Sequence, residues 1–201
     1  MNLWRLDCGA QTLLVGGYKN LPEVFYWGKR LLETEDLQEI WDATRLDYSG
    51  GVLDGVPPIS ICPEVSKTFP GYPGMRIRGA TGKRLQPNFK LANAKYTKTS
   101  LILKFEDPKL GLTYKAAFVA HSANDIFELS ASLKGDTDLL VDWFAAPVLP
   151  ATQAAQKMID FSGHWCREFE KQETDWSIGT RLRNNQTGRT GHEYFPGLIV
   201  P

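Results

Sequence analysis

Apolar and polar residues alternate with a period of two along much of the chain. In the segment WRLDC at residues 4–8, Trp, Leu and Cys fall on one side of an extended backbone, and Arg and Asp fall on the other. The cleanest run is residues 127–134, where Phe, Leu, Ala and Leu alternate with Glu, Ser, Ser and Lys. Successive side chains of a strand point to opposite faces, so this period predicts strands with one buried face.

Similar strand patterns recur at short intervals, with turn residues such as Gly16-Gly17 between them. They are QTLLVGGY, EVFYWGKRL, SLILKFED, LGLTYKAAFVA, DLLVDWFAAPVL and KMIDFSGHW. Apolar residues with helical spacing predict a single short helix, of about three turns, from Leu37 to Leu46. Many short strands and little helix favour a mainly β fold, an antiparallel β-sandwich with few or no long helices.

Residues 48–79 interrupt the strand pattern with a segment rich in Gly and Pro, which we interpret as a long loop. The segment keeps apolar anchors at Ile59, Ile61 and Phe69, and strand patterns resume after it. We therefore interpret the segment as a loop within one domain and not as a linker between two domains. Loops of this length in a compact domain are usually functional. At 201 residues, the chain is expected to form a single domain over residues 1–201.

Composition narrows the classes of partner. Lys and Arg together number 23, as do Asp and Glu, so no bulk charge indicates nucleic acid or an anionic membrane. No apolar window approaches the roughly 18 residues of a membrane span, and MNLWRLDCGA lacks the features of a secretory signal. We therefore expect a cytoplasmic protein. The three widely spaced cysteines suit reduced thiols, and no Cys or His pair has zinc-site spacing, so no metal site is predicted.

Residues 162–197 collect the most reactive side chains of the sequence. Cys166 with His164 or His192 could form a nucleophile and base, which would require an activated thiolate and a group that orients the imidazole. The sequence supplies neither, and a small buried thiol beside a surface imidazole is the favoured interpretation.

Acidic and Gly-rich stretches of the same region also resemble catalytic motifs. Acids that hydrolyse a glycosidic bond must converge across a sugar ring, whereas a run in strand and turn mostly faces solvent. The run comprises Glu168, Glu170, Glu173 and Asp175. The segment GTRLRNNQTGRTGH lacks the Gly-Lys-Ser/Thr end of a P-loop, so we interpret it as a turn-rich connection. From chemistry alone, no catalytic residue is predicted.

Spaced motifs do, however, match a known family. Residues 162–168 read SGHWCRE, and Gly179, Gly188, Thr190, His192 and Pro196 follow at fixed intervals. YWGK at 26–29, RLD at 45–47 and the elements LDGVPP and FPGYPG of the long loop extend the match. In this order they resemble the N-terminal supersandwich-like β-sandwich of the family 36 glycoside hydrolases, the α-galactosidases, which precedes a catalytic (β/α)8 barrel.

Several positions depart from the family pattern. The family's Ser-Arg-Arg is Asn185-Gln186-Thr187, and its Asn before Pro is Phe195. The family's Gly-Asp-aromatic-Arg, at the end of the long loop, is replaced by Gly74-Met75-Arg76. The loss of that Asp puts in doubt a role in which the loop carries polar groups into the active site of a neighbouring subunit.

The resemblance implies two sets of residues. Candidate sugar-contacting residues, acting on a neighbouring subunit, are Asp47, Tyr72 and Arg76. A structural role is expected for the motif residues, with Trp165 in the core and Arg167 and Glu168 as a charge-assisted pair. These motif residues are Trp27, Trp165, Arg167, Glu168 and His192.

The function implied by the resemblance belongs to a larger parent enzyme. That enzyme would release terminal α-linked galactose from oligosaccharides with retention, using two barrel Asp residues and no metal or nucleotide cofactor. It would be a homo-oligomer, and this chain, a truncated N-terminal domain without the barrel, would be inert. The alternative is a stand-alone carbohydrate-binding sandwich in which Trp4, Trp27, Trp41 and Trp176 stack on sugar, although core packing explains most of these aromatics.

Overall fold

The computed structural model describes residues 1–17, 22–44, 60–67, 71–150, 154–164, 166–177, 181 and 194–201. Its strands in the first part of the chain are β1 Asn2–Cys8, β2 Gln11–Gly17, β3 Glu23–Lys29, β4 Met75–Gly79, β5 Arg84–Leu85, β6 Lys90–Tyr96 and β7 Ser100–Asp107. Those that follow are β8 Leu112–His121, β9 Ile126–Gly135, β10 Leu139–Phe144, β11 Lys157–His164, β12 Arg167–Asp175 and β13 Tyr194–Ile199. Helix α1 spans Leu37–Ala43, and a 3₁₀ turn spans Val65–Lys67. No helix among these described ranges is long and apolar enough to cross a membrane.

The described chain divides into two compact units, residues 1–150 and 151–201. The first contains the sheets β1-β2-β3, β10-β4-β5 and β6-β7-β8-β9, and the second contains β12-β11-β13. Every recorded strand pair is antiparallel. The predicted fold class, a mainly β protein with antiparallel strands and little helix, is confirmed.

The core of the first unit lies between the sheets β1-β2-β3 and β6-β7-β8-β9. Leu6 and Leu13 come from the first sheet, and Leu103 and Phe118 come from the second, and each is fully buried in one hydrophobic cluster. The inner residues of β9 pack on the same cluster and are partly buried. Burial of one face of each sheet, at about 25 cal/mol per Å² of apolar surface, is what holds this sandwich together.

The alternation of apolar and polar residues correctly predicts which face of these strands is buried. In β7 and β8, buried residues alternate with more exposed ones along the whole strand, as the sequence pattern predicts. The strand β9 alternates between half-buried and exposed residues, which fits its place at an edge of the four-stranded sheet. The outer face of this sheet is correspondingly polar.

Three local predictions differ from the structure. The helix ends at Ala43 instead of Leu46, because Thr44 caps it, its N–H and hydroxyl both donating to the last helical carbonyls. Gly16 and Gly17 are the last paired residues of β2 instead of a turn. The final residues of the predicted long loop, Met75–Gly79, form β4.

Candidate functional site

The described end of the long loop and the start of β4 form a cluster of aromatic and cationic side chains. The Arg76 guanidinium lies 4.4 Å from the centroid of the Tyr72 ring. The Tyr72 ring meets Trp143 edge-on at a centroid distance of 5.2 Å. Trp143 Nε1 in turn donates a hydrogen bond of 3.1 Å to the Pro73 carbonyl. A cation over an aromatic face is attracted by the ring quadrupole. The Tyr72 ring therefore holds the Arg76 guanidinium, and Trp143 holds the Tyr72 ring in turn.

Backbone packing sets the position of this cluster. Trp143 stands opposite Arg76 in the β10–β4 ladder, at a bulge that follows Val141. The backbone of Gly74 donates to the Pro63 carbonyl and accepts from the Ala145 amide, at 2.9 and 2.8 Å. A Cβ at position 74 would lie 3.1–3.2 Å from Pro63 and Cys62 side-chain atoms, so glycine permits this close approach.

Beside the cluster lies an open concavity of about 300 Å³, within the lower range of ligand pockets. Its polar groups come from the middle of the loop, from β4, from β5 and from the residue after β5. The residues that line it are Pro63, Glu64, Val65, Ser66, Gly71, Pro73, Met75, Arg76, Arg84, Leu85, Gln86 and Pro87. Glu64 is buried and its Oε1 accepts from the Phe89 amide at 3.0 Å, and the Ser66 hydroxyl donates to the Pro87 carbonyl. The side-chain donors left to face the concavity are therefore the exposed Arg84 and Gln86 and the half-buried Arg76.

The electrostatics of this surface are positive. Asp142 accepts two hydrogen bonds from the Arg78 guanidinium, at 2.8 and 2.6 Å. The Arg78 hydrogen bond lowers the pKa of Asp142, and the charges of Arg78, Arg84 and Arg76 lower it further. Among the ion pairs recorded for the described residues, none involves Arg76 or Arg84. The guanidinium groups of Arg76 and Arg84 can therefore donate hydrogen bonds to an oxygen-rich ligand at this surface.

These groups are suited to binding and not to bond cleavage. Guanidinium and amide N–H groups donate to sugar hydroxyls, and an aromatic ring offers an apolar face. The buried thiol of Cys62 and the buried phenol of Tyr114 are not activated, because burial raises the pKa of each above its usual value, with a further increase from the Glu64 charge. A buried thiol with a raised pKa is a poor nucleophile.

The other residues singled out in the sequence are dispersed. Asp47, Trp165 and His192 lie outside the described residues. Trp27 is 48% exposed, and its indole N–H donates to the Gln11 side chain at 2.9 Å.

The expected partner of Arg167 was Glu168, but the ion pair that the structure records for Arg167 is with Glu170, at 2.6 Å. The Glu168 carboxylate accepts a hydrogen bond from the Cys166 amide at 3.3 Å. The second compact unit therefore uses these motif residues in local contacts of the β11–β12 hairpin.

The expectation of a buried thiol at Cys166 is wrong. Cys166 is exposed and lies in the turn between β11 and β12, with φ +68°, and His164 ends β11. The exposure comes from the hairpin, whose turn carries position 166 away from the regular alternation. Cys8 and Cys62 are buried, and all three thiols are free, as expected of reduced cysteines.

The acidic run of β12 is a set of surface ion pairs. Besides the pair made by Glu170, Glu173 binds Lys171 at 3.0 Å and Asp175 binds Lys157 at 2.7 Å. These lysine hydrogen bonds lower the pKa values of Glu173 and Asp175. Carboxylates held in this way on a strand surface do not form a catalytic pair across a sugar ring. Within the described ranges, no group of three or more His, Cys, Asp or Glu could hold a metal ion.

Burial separates the four tryptophans proposed for sugar stacking. Trp4 and Trp41 are buried at 8% and 1% exposure, and Trp41 packs edge-on against Phe25. Trp176 is half-buried, which leaves Trp27 as the most exposed of the four. The aromatic residue that the sequence did not single out, Trp143, is the one that packs against Tyr72.

Comparison with known proteins places this fold in a defined class. The sequence matches the family described as "Glycosyl hydrolase family 36 N-terminal domain" over residues 20–201. The chain therefore belongs to that family.

Among its relatives is an α-galactosidase of Escherichia coli, 27% identical over 200 residues, which cover 98% of this chain and 27% of that protein. The chain thus spans about a quarter of the length of this relative.

Solved α-galactosidases share the fold. One is the family 36 α-galactosidase AgaA of Geobacillus stearothermophilus, with a TM-score of 0.80 and 14% identity over 98% of this chain and 31% of that chain. Another is the α-galactosidase of Lactobacillus brevis, with a TM-score of 0.75 and 16% identity over 98% of this chain and 30% of that chain. In both, the likeness is confined to less than a third of the solved chain.

Proposed function

We propose that this chain is the non-catalytic N-terminal β-sandwich segment of an α-galactosidase-like retaining glycoside hydrolase. The observation that carries the proposal is one of coverage: the family match extends to residue 201, whereas the chain spans only 27% of the E. coli enzyme. In the parent enzyme, hydrolysis of terminal α-galactosides is the work of a barrel outside this sequence. Structures of the related AgaA in complex with raffinose and with stachyose support oligosaccharides of this type as substrates.

Within that parent, the segment supplies sugar-binding groups to a neighbouring subunit. Tyr72 and Arg76 are the described members of this set, and Asp47 is the third. The 4.4 Å contact of Arg76 with the Tyr72 ring, beside a concavity of about 300 Å³, supports a role in which both side chains contact sugar. A homo-oligomer follows from this role, because the site is completed in trans.

The remaining parts of the proposal concern environment and partners. Reduced, unpaired thiols at all three cysteines support residence in the cytoplasm. A formal net charge of zero supports a partner set without nucleic acid or membrane surfaces. The hydrolysis proposed for the parent requires no metal or nucleotide cofactor.

The isolated chain is expected to be catalytically inert. Incubation of the purified 201-residue chain with nitrophenyl α-galactoside should release nitrophenol no faster than buffer does, because Glu170, Glu173 and Asp175 of the acidic run are held in surface ion pairs. Release that is lost on replacement of one acid of this chain, such as Glu168→Gln, would contradict the proposal.

In the full-length parent, Arg76→Ala should raise KM for raffinose about tenfold and leave kcat within about twofold. The expected loss corresponds to one charge-assisted hydrogen bond to the sugar, about 1.4 kcal/mol. Arg78→Ala is the matched control, since the Arg78 guanidinium is already bound by Asp142, and it should leave KM unchanged.

Mixed oligomers test whether the contact is made in trans. Subunits with Arg76→Ala but an intact barrel should recover the normal KM when they assemble with subunits that lack a functional barrel but retain Arg76. A KM that stays high in the mixed oligomers would place the contact within one subunit and refute the role in trans.

A stand-alone carbohydrate-binding module is the second candidate, and the exposed Trp27 and Tyr72 favour it, at 48% and 44% exposure. Calorimetric titration of the isolated chain with raffinose separates the two functions. The leading proposal expects weak or no binding without the barrel, whereas a Kd of about 1 mM or below, lost in Trp27→Ala or Tyr72→Ala, would favour the binding module.

A further inference from the structure

A second concave surface lies on the outer face of the four-stranded sheet β6-β7-β8-β9. It encloses about 520 Å³, and its lining residues are Asn93, Lys95, Ile102, Lys104, Lys115, Ala117, Ser130, Ala131 and Ser132. The three lysines come from three adjacent strands, β6, β7 and β8, and the two serines come from β9. We refer to this surface as the lysine face.

The register of the sheet brings the lysines together. Lys104 stands directly opposite Lys115 in the β7–β8 ladder, and its neighbour on the other side is Asn93. Lys95 is two residues further along β6, opposite Ile102, so it lies diagonally from Lys104. Side chains directly opposite one another are about 5 Å apart at Cβ, and like charges at that spacing are destabilising.

Acidic groups offset only part of this charge. Glu106 binds Lys104, and at the far end of the face Glu128 binds His121 at 2.9 Å. Neither Lys95 nor Lys115 takes part in any ion pair or side-chain hydrogen bond recorded for the described residues. Lys134, on β9, adds a further positive charge beyond the two serines. The face therefore keeps two uncompensated ammonium groups beside a third, at a cost in stability.

The shape and chemistry of the face indicate the class of ligand. Ala117, Ser130 and Ser132 form a floor of small side chains between the longer lysines, which leaves room for a flat ring. The serine hydroxyls and the Asn93 amide both donate and accept hydrogen bonds. The backbone groups of this sheet are already paired in its ladders, so an extended peptide would find no main-chain partners on the face, unlike at a sheet edge.

We propose that the lysine face binds an acidic oligosaccharide, a chain of sugar rings that carry carboxylates. The carboxylates pair with Lys95, Lys104 and Lys115, and the ring hydroxyls bind Asn93, Ser130 and Ser132. Neighbouring strands are about 4.8 Å apart, a spacing comparable to the repeat of one sugar ring, so consecutive rings can meet lysines on consecutive strands. This surface is separate from the concavity at Tyr72 and Arg76, and the proposal does not depend on the function of the parent enzyme.

Calorimetric titration of the 201-residue chain with trigalacturonate tests the proposal. Binding with a Kd of about 1 mM or below, weakened by added salt, is expected. The methyl ester of the same trisaccharide keeps the rings and hydroxyls but removes the charges, and it should not bind measurably. Hexaglutamate supplies carboxylates without sugar rings and should bind at least tenfold more weakly than trigalacturonate.

Variants locate the site and separate binding from folding. Lys115→Ala and Lys95→Ala should each weaken trigalacturonate binding about three- to fivefold, as the loss of one exposed ion pair predicts. Lys109→Ala, in the β7–β8 turn, is the matched control and should not change the Kd. Lys115→Ala should also leave the Tm unchanged or raise it, because it relieves the juxtaposition with Lys104, so weaker binding would not reflect unfolding.

The remaining outcomes would overturn the proposal. No binding at millimolar trigalacturonate, or equal binding of the methyl ester, would show that the lysines recognise no acidic sugar. Equal or tighter binding of hexaglutamate would assign the face to an acidic protein segment instead. Unchanged affinity in both lysine variants would place any bound trigalacturonate elsewhere on the chain.

Discussion

Replacement of Phe118 by alanine is expected to lower the free energy of unfolding by about 3–5 kcal/mol. Phe118 is fully buried in β8, where it stands between Leu101 of β7 and Leu129 of β9. Removal of the ring loses its transfer free energy and leaves a cavity that the two flanking strands cannot close without breaking their ladders. Because whole domains are stable by only about 5–15 kcal/mol, this single change removes a large part of the total.

Urea denaturation, followed by tryptophan fluorescence and circular dichroism, measures the loss. Val119→Ala is the matched control, since Val119 is next in β8 but faces the outer side of the sheet and is only half-buried. Its replacement should cost less than about 1 kcal/mol. Equal effects of the two changes would contradict the assignment of faces in β8 and, with it, the core of the first unit.

The face that each strand buries could be predicted from the sequence because the signal is local. A strand in a two-layer sandwich buries alternate residues. The alternation within β8 is therefore enough to predict that Phe118 faces the core and Val119 faces outward. The same holds for β7 and β9. The prediction of a mainly β, antiparallel fold rests chiefly on this signal and on the turn residues between the strands, and the structure confirms it.

Long-range register could not be predicted in this way. Strand β4 finds its partner β10 through contacts such as Arg78 with Asp142, which are 64 residues apart, and the bulge after Val141 shifts the pairing. Nothing in the local pattern encodes a bulge or a partner so distant. For this reason the local pattern alone places β4 within the long loop.

The candidate site shows the same division. Tyr72 and Arg76 were identified through the family resemblance, and the structure brings them together at 4.4 Å. Trp143 and Arg84 were not identified, because each reaches the site through the pairing of a separate strand with β4. Arg84 follows the long loop closely in sequence, so cationic residues just after the loop are a signal that could have found it, whereas Trp143 lies in the distant strand β10 and no local signal marks it.

The structure explains why the second position of the motif Ser-Gly-x-Trp is a glycine. Gly163 lies at the irregular pairing of β11 with β12, between Ser162 and His164. A Cβ at position 163 would lie 2.1 Å from the Arg167 carbonyl oxygen and 2.9 Å from Glu168 Cα. Both are backbone atoms, so no side-chain rotation can relieve the collision, and only glycine allows the hairpin to close at this point.

Gly163→Ala is therefore expected to destabilise the β11–β12 hairpin by roughly 3 kcal/mol, the upper range for an overpacked site. Hydrogen exchange of the β11 and β12 amides should accelerate by about two orders of magnitude, since each factor of ten corresponds to about 1.4 kcal/mol. Gly79→Ala is the matched control, because its added Cβ would meet only Leu85 at 3.8–3.9 Å, an ordinary contact. If Gly163→Ala left this exchange unchanged, the glycine of the motif would have to be explained by a contact in the parent enzyme, and the steric explanation would fail.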